Sequence, residues 1–218
     1  MPARRPRPER HGPVVVFDLG GVVIHWSDLW ASRAIARRFH LPQLATHRTL
    51  SAASAEVELG RSSIAQFGRR VAARLPRANA AEVGRVWIGT FVRRARPNVR
   101  VVTWAADLRT RGIEVACLSN TTRAHVRRLE AGAALRPFSP RLYSFELRAR
   151  KPSRLAFEAA RRRLARPAGQ LFLIDDRLEN VRAARRAGWA AHRFRDIRRA
   201  RAALERWLVS RRRRRETF

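Results

Sequence analysis

The sequence predicts an α/β fold, in which a parallel sheet of five strands is flanked by helices and interrupted by an all-helical insertion. Five short apolar runs rich in β-branched residues alternate with segments of helical periodicity. Polar residues follow several of these runs directly, which is typical of strands whose carboxyl ends border a ligand site. Residues 26–94 contain no convincing strand and show helical patterns throughout.

The apolar runs have the length and composition of strands buried on both faces of a sheet. They cover residues 13–18, 113–118, 141–145, 171–174 and 189–194. Helices are predicted between them, one beginning after Pro97 and others over about 122–134, 153–165 and 178–187, with a last helix over 196–209. Right-handed crossovers of this kind bring the carboxyl ends of the strands to one edge of the sheet.

The segment between the first strand and Pro97 is predicted to be a helical insertion. Ser27 is a candidate N-cap for its first helix, and further helices are expected over 43–56, 62–75 and 80–94. These patterns divide the chain into an α/β core, a helical insertion and two basic termini. The predicted bounds are 13–25 with 95–209 for the core, 26–94 for the insertion, 1–12 for a disordered arm and 210–218 for a tail.

The charge of the chain is strongly positive. The formal net charge is +31 over 218 residues, and of 48 basic residues only Lys151 is a lysine. Such a surplus attracts anionic substrates, and nucleic acid is a second candidate partner. Because the arginines are scattered through every segment rather than confined to one stripe, a general arginine bias is favoured over a nucleic-acid site. The surplus of positive charge would in either case attract anionic substrates electrostatically.

The single Cys117 excludes an internal disulfide and any Cys-x-x-Cys metal site, which favours a reducing, cytoplasmic location. No apolar run approaches the roughly 20 residues needed to span a membrane. Arginines before the first strand imitate the start of a signal peptide, but the apolar run contains Asp18 and lacks a small-residue cleavage pattern. A cytoplasmic protein that does not bind membranes is expected, as a monomer or a homodimer.

One carboxylate follows the first strand directly. Asp18 ends that strand and is followed by Gly20 and Gly21. A lone Asp at the end of a buried strand is costly to bury without a metal, a cation or hydrogen bonds. The glycines allow a tight turn and a close approach of the backbone to a ligand. The stretch alone fits a core strand that ends in an Asp-Gly turn equally well.

Further polar residues follow the later strands and favour a ligand site. Ser119 and Asn120 follow the second strand, Lys151 lies after the third, and Asp175 and Asp176 end the fourth. Three converging carboxylates repel each other without a cation, and Mg²⁺ prefers such hard oxygen ligands. An Asp can also act as a nucleophile that forms an aspartyl-phosphate. A hydroxyl, an amide and free N–H groups at the start of a helix bind an oxyanion, whose charge a lysine neutralises.

In these motifs the chain resembles the haloacid dehalogenase-like (HAD) hydrolases. Each motif is weak alone, but the four occur in the family's order and each lies at a predicted strand end or in the loop that follows. They are Phe17–Val22 (FDLGGV), Leu118–Thr121 (LSNT), Arg150–Pro152 (RKP) and Ile174–Asn180 (IDDRLEN). The segment Glu58–Ile64 (ELGRSSI) also resembles a turn found in the helical caps of the family. The nearest branch is similar to bacterial α-D-glucose-1-phosphate phosphatases, which share the Phe-Asp-Leu-Gly start.

The resemblance implies a Rossmannoid core with a helical cap and a Mg²⁺-dependent phosphatase that acts on a small, sugar-phosphate-like metabolite. Asp18 is then the nucleophile, assisted by Lys151. The expected ligands of Mg²⁺ are Asp18, the carbonyl of Gly20, Asp175 and Asp176. The expected phosphate-binding residues are Gly21, Ser119, Asn120 and Lys151.

One position departs from the family pattern. Most phosphatases of the family carry a second Asp, a general acid and base, where this chain has Gly20. General acid–base catalysis is typically worth about 10²–10⁴-fold, so slow turnover is one expectation. His25 is a candidate replacement, although an exposed or packed role is favoured for it. The glucose-1-phosphate branch also has Gly here, so the departure does not imply an inactive enzyme.

Two other functions stay open at this stage. A 2-haloacid dehalogenase uses the same Asp without a metal, but it leaves the pair Asp175-Asp176 without a purpose. An inactive scaffold that binds nucleic acid or an acidic partner is the alternative that is not an enzyme. Among the remaining residues, His125 and His192 are expected at the surface or in packing, and Trp26 and Trp30 are expected in packing rather than in a substrate pocket.

Overall fold

The computed structural model describes residues 12–216, so the predicted arm lies almost wholly outside the described residues. Five strands form the predicted parallel sheet and a separate antiparallel pair adds two more. The strands are β1 (Val14–Phe17), β2 (Ile24–His25), β3 (Arg96–Pro97), β4 (Glu114–Ser119), β5 (Arg141–Tyr143), β6 (Leu171–Asp175) and β7 (Ala190–Arg193). The order in the large sheet is β5-β4-β1-β6-β7, with β1 at the centre. This confirms the predicted fold class.

The helices follow the predicted alternation with small changes in length. They are α1 (Asp28–Arg38), α2 (Gln43–Glu58), α3 (Ile64–Ala72), α4 (Ala80–Arg94), α5 (Val99–Thr110), α6 (Arg123–Glu130), α7 (Ser144–Leu147), α8 (Arg154–Leu164), α9 (Leu178–Arg186) and α10 (Ile197–Glu216). The short α7 was not predicted. Helix α10 continues past the predicted end at residue 209 and includes much of the predicted tail, because arginine is a good helix former. No described helix is both long and apolar enough to cross a membrane.

Strand β1 is buried on both faces, as its unbroken apolar sequence requires. Val15 and Phe17 belong to a core that includes Trp104 of α5 and Leu204 of α10. Val14 and Val16 point to the opposite face, where α8 and α9 cover the sheet. The alternation follows from the two-residue period of a strand. The sheet is therefore the middle layer of three, and β1 is fixed from both sides.

The helical insertion has its own apolar core. Helices α1–α4 pack around buried residues that include Ile35, Phe67, Val71 and Val83. The insertion leaves and rejoins the sheet domain through adjacent strands, since β2 and β3 pair in antiparallel orientation with Ile24 opposite Pro97. Two residues per strand are too few to show a periodicity, so the sequence did not predict this pair. The pairing holds the insertion beside the end of β1.

Candidate active site at the carboxyl end of the sheet

The central strand β1 brings Asp18 beside the ends of its two neighbours. Phe17 is in register with Cys117 of β4 and with Ile174 of β6. The next residue along β1 is Asp18 and the next along β6 is Asp175, while Ser119 lies two residues past Cys117 on β4. The backbone N–H of Asp18 donates to the carbonyl of Ile174 at 2.9 Å. The sheet register therefore assembles the predicted side chains at one edge.

Lys151 lies between two of the carboxylates. Its Nζ is 3.0 Å from Asp18 Oδ1 and 2.5 Å from Asp175 Oδ2, and its side chain is 1% exposed. Burial alone lowers the pKa of a lysine, but Asp175 and Asp18 raise the pKa of Lys151 above its usual value. The ammonium is therefore charged and fixed in place, and the structure puts it where the sequence predicts a compact cation.

Both oxygens of the Asp175 carboxylate accept hydrogen bonds from neighbouring residues. Asn180 Nδ2 donates to both of its oxygens at 3.0 Å, and the backbone N–H of Arg177 donates to Oδ1 at 2.9 Å. Lys151 adds the fourth contact. Asp175 thus has little freedom to bind a further group directly. Its role in this geometry is to orient Lys151 and to add negative charge.

Asp176 is the carboxylate with room for a ligand. Its Oδ1 is buried and has no hydrogen-bond partner among the described residues. Asp18, Asp175 and Asp176 each offer an oxygen atom within 4.8 Å of the others. An unsatisfied buried carboxylate oxygen is costly unless a cation or a donor completes it. Asp18 and Asp176, with the negative charge of Asp175 beside them, therefore fit a hard divalent cation.

The pKa values of the cluster show the same deficit of positive charge. Burial raises the pKa of Asp18 to about 7, with Asp175 and Asp176 adding to the rise and Lys151 opposing it. Burial, and then the charge of Asp175, also raise the pKa of Asp176. One ammonium does not balance three carboxylates, so a bound cation would lower both pKa values.

A glycine is required at position 21 by the backbone conformation and by the nearby side chain of Asp176. Its φ is +76°, and a Cβ at this position would overlap the carboxylate of Asp176. At Gly20 a Cβ would have Trp26 Cδ1 as its nearest neighbour, at 3.7 Å, which is an ordinary contact. Close packing of the backbone against Asp176 therefore explains Gly21, whereas Gly20 has room for a side chain.

Gly21→Ala is expected to lower the free energy of unfolding by about 1–2 kcal/mol from the left-handed backbone alone, with more from displacing Asp176. Gly20→Ala is the matched control and should change stability by less than about 0.5 kcal/mol. Urea unfolding of both variants checks the difference. Equal losses in the two variants would contradict this account of Gly21, both its left-handed backbone and its contact with Asp176.

The side chain of Asn120 holds Lys151 rather than pointing freely into the site. Its Nδ2 donates to the carbonyl of Lys151 at 2.8 Å, and its Oδ1 accepts the N–H of Lys151 at 2.9 Å. The predicted contact of this amide with a phosphoryl group would break these two hydrogen bonds to Lys151. Ser119 is different, because its hydroxyl donates to the Asn120 carbonyl only at 3.5 Å. The Ser119 hydroxyl is thus available to an anion, and Asn120 positions Lys151.

A cavity of about 360 Å³ opens onto these residues. Its walls come from both parts of the chain, since α1, α2 and α4 face the ends of β1 and β4. Trp26 lines the cavity and packs edge-on against Trp30 and Phe91. His25 is exposed on β2 and is not among the lining residues, so the structure does not bring this candidate acid to the site.

His125 is buried in an aromatic cluster at the cavity wall. Its ring stacks on Phe91 with centroids 4.0 Å apart and lies edge-on to Trp87 at 5.1 Å. Burial lowers the pKa of His125 to about 4, so the imidazole is neutral at pH 7. The predicted packing role fits these contacts. The position of His125 on the cavity wall was not predicted.

Two ion pairs connect the helical insertion with the sheet domain across the cavity. At the end of α2, Glu58 Oε2 lies 2.8 Å from Arg150 Nη2. Arg177 Nη2 donates to Asp28 Oδ2 at 2.6 Å, and Trp26 Nε1 donates to the other Asp28 oxygen at 3.0 Å. Glu58, Arg150 and Arg177 stood inside quoted motifs, but adjacency in sequence does not show which partner each residue meets. Their contacts were therefore not predicted.

Comparisons with known proteins agree with this geometry. A family model of haloacid dehalogenase-like hydrolases matches residues 13–188. No curated protein sequence matches the chain significantly. The solved structures provide the remaining likenesses, and those described below are all under 20% identical, so they show a shared fold.

Three of these structures show which kinds of protein share the fold. A HAD family enzyme from Bacteroides thetaiotaomicron, solved in complex with magnesium and inorganic phosphate, is 18% identical, with a TM-score of 0.69 over 84% of this chain and 94% of that one. A predicted HAD-like hydrolase from Porphyromonas gingivalis is 19% identical, with a TM-score of 0.69 over 84% and 90%. L-2-haloacid dehalogenase from Xanthobacter autotrophicus is 19% identical, with a TM-score of 0.63 over 91% and 83%.

The family model spans all four motifs that the strands bring to the edge of the sheet. The same span includes β1, β4 and β6, which carry the candidate nucleophile, the Ser119 hydroxyl and the paired carboxylates. Sequence match, fold and site geometry agree, and the chain belongs to the haloacid dehalogenase-like hydrolases.

Proposed function

We propose that the protein is a Mg²⁺-dependent phosphatase of a small phosphorylated metabolite. The observation that carries this proposal is the unsatisfied Asp176 Oδ1 in a cluster of three carboxylates that Lys151 alone does not neutralise. A divalent cation and a phosphoryl group together would complete this arrangement. The Bacteroides thetaiotaomicron enzyme of the same fold was solved with magnesium and inorganic phosphate, which supports the proposal.

The residues that would hold Mg²⁺ are Asp18, Asp176 and the carbonyl of Gly20. Asp175 would contribute through a water molecule, because its own oxygens are engaged by Asn180, Arg177 and Lys151. Magnesium keeps several water ligands in sites of this kind. When bound, it would neutralise the carboxylates and the charge on the phosphoryl oxygens.

Asp18 would attack phosphorus with Oδ2, since Oδ1 accepts the N–H of Leu19 at 2.7 Å and contacts Lys151. The new Oδ2–P bond forms as the bond between phosphorus and the leaving oxygen breaks. Lys151 and the Ser119 hydroxyl would hold the phosphoryl oxygens during this step. Water then attacks phosphorus, which releases inorganic phosphate and restores the Asp18 carboxylate.

Because residue 20 is a glycine, the turn after β1 has no carboxyl group that could donate a proton to the leaving group. The leaving oxygen would take its proton from water within the cavity. This makes the rate depend strongly on the acidity of the leaving alcohol, because no general acid shares the developing charge. Esters of acidic alcohols are therefore expected to react faster than esters of simple alkanols.

We assign residues 26–94 as the cap of this enzyme and residues 13–25 with 95–209 as its core. Helices α1, α2 and α4 of the cap line the cavity opposite Asp18. When the two ion pairs between cap and core are formed, the cap would cover the cavity and exclude bulk water from the reaction. The substrate would enter when these contacts open.

The direct test is Mg²⁺-dependent release of phosphate from p-nitrophenyl phosphate and from a panel of phosphorylated metabolites. Activity is expected with Mg²⁺ and should fall by at least about tenfold in EDTA, because the cation carries much of the charge stabilisation. Mg²⁺ should also raise the melting temperature, since it binds the folded cluster. Metal-independent hydrolysis at the same rate would contradict the proposal.

A 2-haloacid dehalogenase is the second candidate, favoured by Gly20 in place of an acidic residue. The discriminating measurement is halide release from 2-chloropropionate in EDTA. Halide release without phosphatase activity would replace the proposed function. Salt-sensitive binding of DNA or RNA, together with no hydrolysis of any ester in the panel, would instead favour an inactive scaffold.

A further inference from the structure

Positive charge is concentrated in the C-terminal region of the chain. Residues 177–216 contain 15 arginines and four carboxylates, which gives a net charge of +11 over 40 residues. The cap, residues 26–94, contains 12 arginines and four carboxylates, which gives a net charge of +8 over 69 residues. The density of positive charge is therefore about twice as high in the C-terminal region, so a uniform arginine bias does not account for it.

The fold brings these arginines together at one edge of the sheet. Strand β7 is the edge strand, and α9 and α10 pack beside it on opposite faces of the sheet. Burial lowers the pKa of His192 on β7, and the nearby guanidinium groups of Arg206 on α10 and Arg185 on α9 lower it further. Helices on both faces of the sheet therefore contribute positive charge to the same edge.

Most of this charge is not neutralised within the protein. Two of the four carboxylates of the region are already engaged, since Glu205 pairs with Arg111 of α5 at 2.6 Å and Asp196 accepts the N–H of Arg199 at 2.9 Å. Several exposed arginines make no ion pair with any carboxylate among residues 12–216. Six of them form the basic edge: Arg182, Arg185, Arg186, Arg193, Arg195 and Arg206.

The positive charge continues along α10 as a line. Arg199, Arg206 and Arg213 recur every seven residues and therefore lie on one side of the helix, and all three are exposed. At a rise of 1.5 Å per residue, this line is about 20 Å long. A small anion cannot contact cations that far apart at the same time, whereas a polymer of phosphates can.

We infer that the basic edge binds the sugar-phosphate backbone of nucleic acid without reading its base sequence. Guanidinium groups bind phosphate oxygens through pairs of N–H groups, and each phosphate that they neutralise releases counterions. Such contacts position a protein on nucleic acid without specifying bases. This binding goes beyond the proposed phosphatase function and does not depend on it, because none of the six residues lines the cavity at the active site.

The scarcity of exposed apolar side chains favours nucleic acid over other anionic partners. Among the described residues of 177–216, Val209 is the one large apolar residue that is well exposed, at 49%. A helix that binds an anionic membrane inserts an apolar face, and the centre of a protein–protein interface is apolar and aromatic. Interfaces with nucleic acid are more polar and strongly positive, as this surface is.

The test measures binding of short fluorescent DNA and RNA duplexes by anisotropy at several salt concentrations. The oligonucleotides carry no terminal phosphate, so the active site is offered no monoester. If each of the six arginines neutralises one phosphate, the logarithm of the DNA binding constant should fall against the logarithm of the salt concentration with a slope of about −5. The two arms show whether DNA or RNA, which share the backbone chemistry, is bound more tightly.

A triple variant, Arg182→Gln with Arg186→Gln and Arg206→Gln, tests where the nucleic acid binds. These side chains are exposed and make no hydrogen bond within the part of the chain that the structure describes, so the fold should be kept. The slope for DNA should become less steep by about 3, and the affinity at 0.1 M salt should fall by at least about tenfold.

The matched control removes the same charge from the cap. Arg69→Gln, Arg70→Gln and Arg74→Gln replace three exposed arginines in and just after α3. This control should change the affinity for nucleic acid by less than about threefold, because distant charges are screened by salt. Hydrolysis of p-nitrophenyl phosphate with Mg²⁺ should stay within about twofold of the wild-type rate in both triple variants, which reports on the proposed phosphatase separately.

Three results would overturn the inference. They are an equal loss of affinity in the two triple variants, the absence of salt-dependent binding to either nucleic acid, and tighter binding to vesicles of anionic lipid than to nucleic acid. Circular dichroism of both variants separates a local loss of binding from misfolding. If no ester is hydrolysed but nucleic acid binds at the basic edge, the proposed phosphatase function fails and this inference stands.

Discussion

Asp18→Asn is expected to abolish phosphate-ester hydrolysis and to leave the protein folded. The amide keeps the shape of the side chain but cannot form the bond to phosphorus, so the activity should fall by about 10⁴-fold or more. Phosphate release with Mg²⁺ measures the loss. Residual activity near the wild-type rate would show that another group makes the attack on phosphorus.

The stability of the same variant gives an independent readout. Burial, together with crowding by Asp175 and Asp176, makes the charged form of Asp18 unfavourable, which is why its pKa rises to about 7. Replacing it with a neutral amide removes this repulsion, while Lys151 keeps its 2.5 Å contact with Asp175. The variant should therefore be at least as stable as the wild type in EDTA, unlike most substitutions of buried residues.

The pH dependence has a definite sign. Because the folded pKa of Asp18 lies above its unfolded value near 3.8, Asp18 favours the folded state below about pH 4 and loses this contribution as pH rises to about 7. In EDTA, the melting temperature of the wild type should fall over this range relative to that of Asp18→Asn. Asp107→Asn, at an exposed carboxylate 3.9 Å from Arg201, is the control and should keep the wild-type slope. Parallel curves for Asp18→Asn and the wild type would contradict the buried-charge account.

The sequence predicted the sheet and the strand-end residues because both depend on local patterns. An apolar run such as Val14–Phe17 predicts a buried strand, and parallel strands must end at a common edge. Asp18, Ser119 and Asp175 therefore follow from periodicity and topology. Gly21 was predicted to allow a tight turn and a close approach of the backbone to a ligand, and the structure adds that the carboxylate of Asp176 occupies the space of the missing side chain.

The contacts across the cavity depend on packing that periodicity does not encode. Glu58 and Arg150 are far apart in the sequence and meet because the insertion folds back over the sheet edge. The hydrogen bonds of Asn120 to the backbone of Lys151 could not be predicted either. An amide beside a strand end can hydrogen-bond to an anion or to the backbone, and the sequence does not distinguish the two. Local signals therefore identify which residues are near the site, while tertiary packing decides which of them contact a ligand.

Lys151→Met is expected to destabilise the protein by about 3–5 kcal/mol in EDTA, the usual cost of removing one partner from a buried ion pair. The substitution leaves Asp18, Asp175 and Asp176 within 4.8 Å of one another, without the ammonium that lies between the first two. Urea unfolding measures the loss. Arg154→Met is the control, because that arginine also makes a 2.5 Å ion pair but has a side chain that is 85% exposed.

The second variant in this series separates charge from packing. Adding Asp175→Asn to Lys151→Met removes one of the uncompensated carboxylates and should recover part of the lost stability, a coupling that independent sites do not show. Mg²⁺ should also recover stability in Lys151→Met, because it supplies positive charge to the remaining carboxylates. If Lys151→Met costs no more than Arg154→Met, the three carboxylates do not depend on the ammonium. The charge deficit that motivates the proposed cation would then have to be smaller than the geometry indicates.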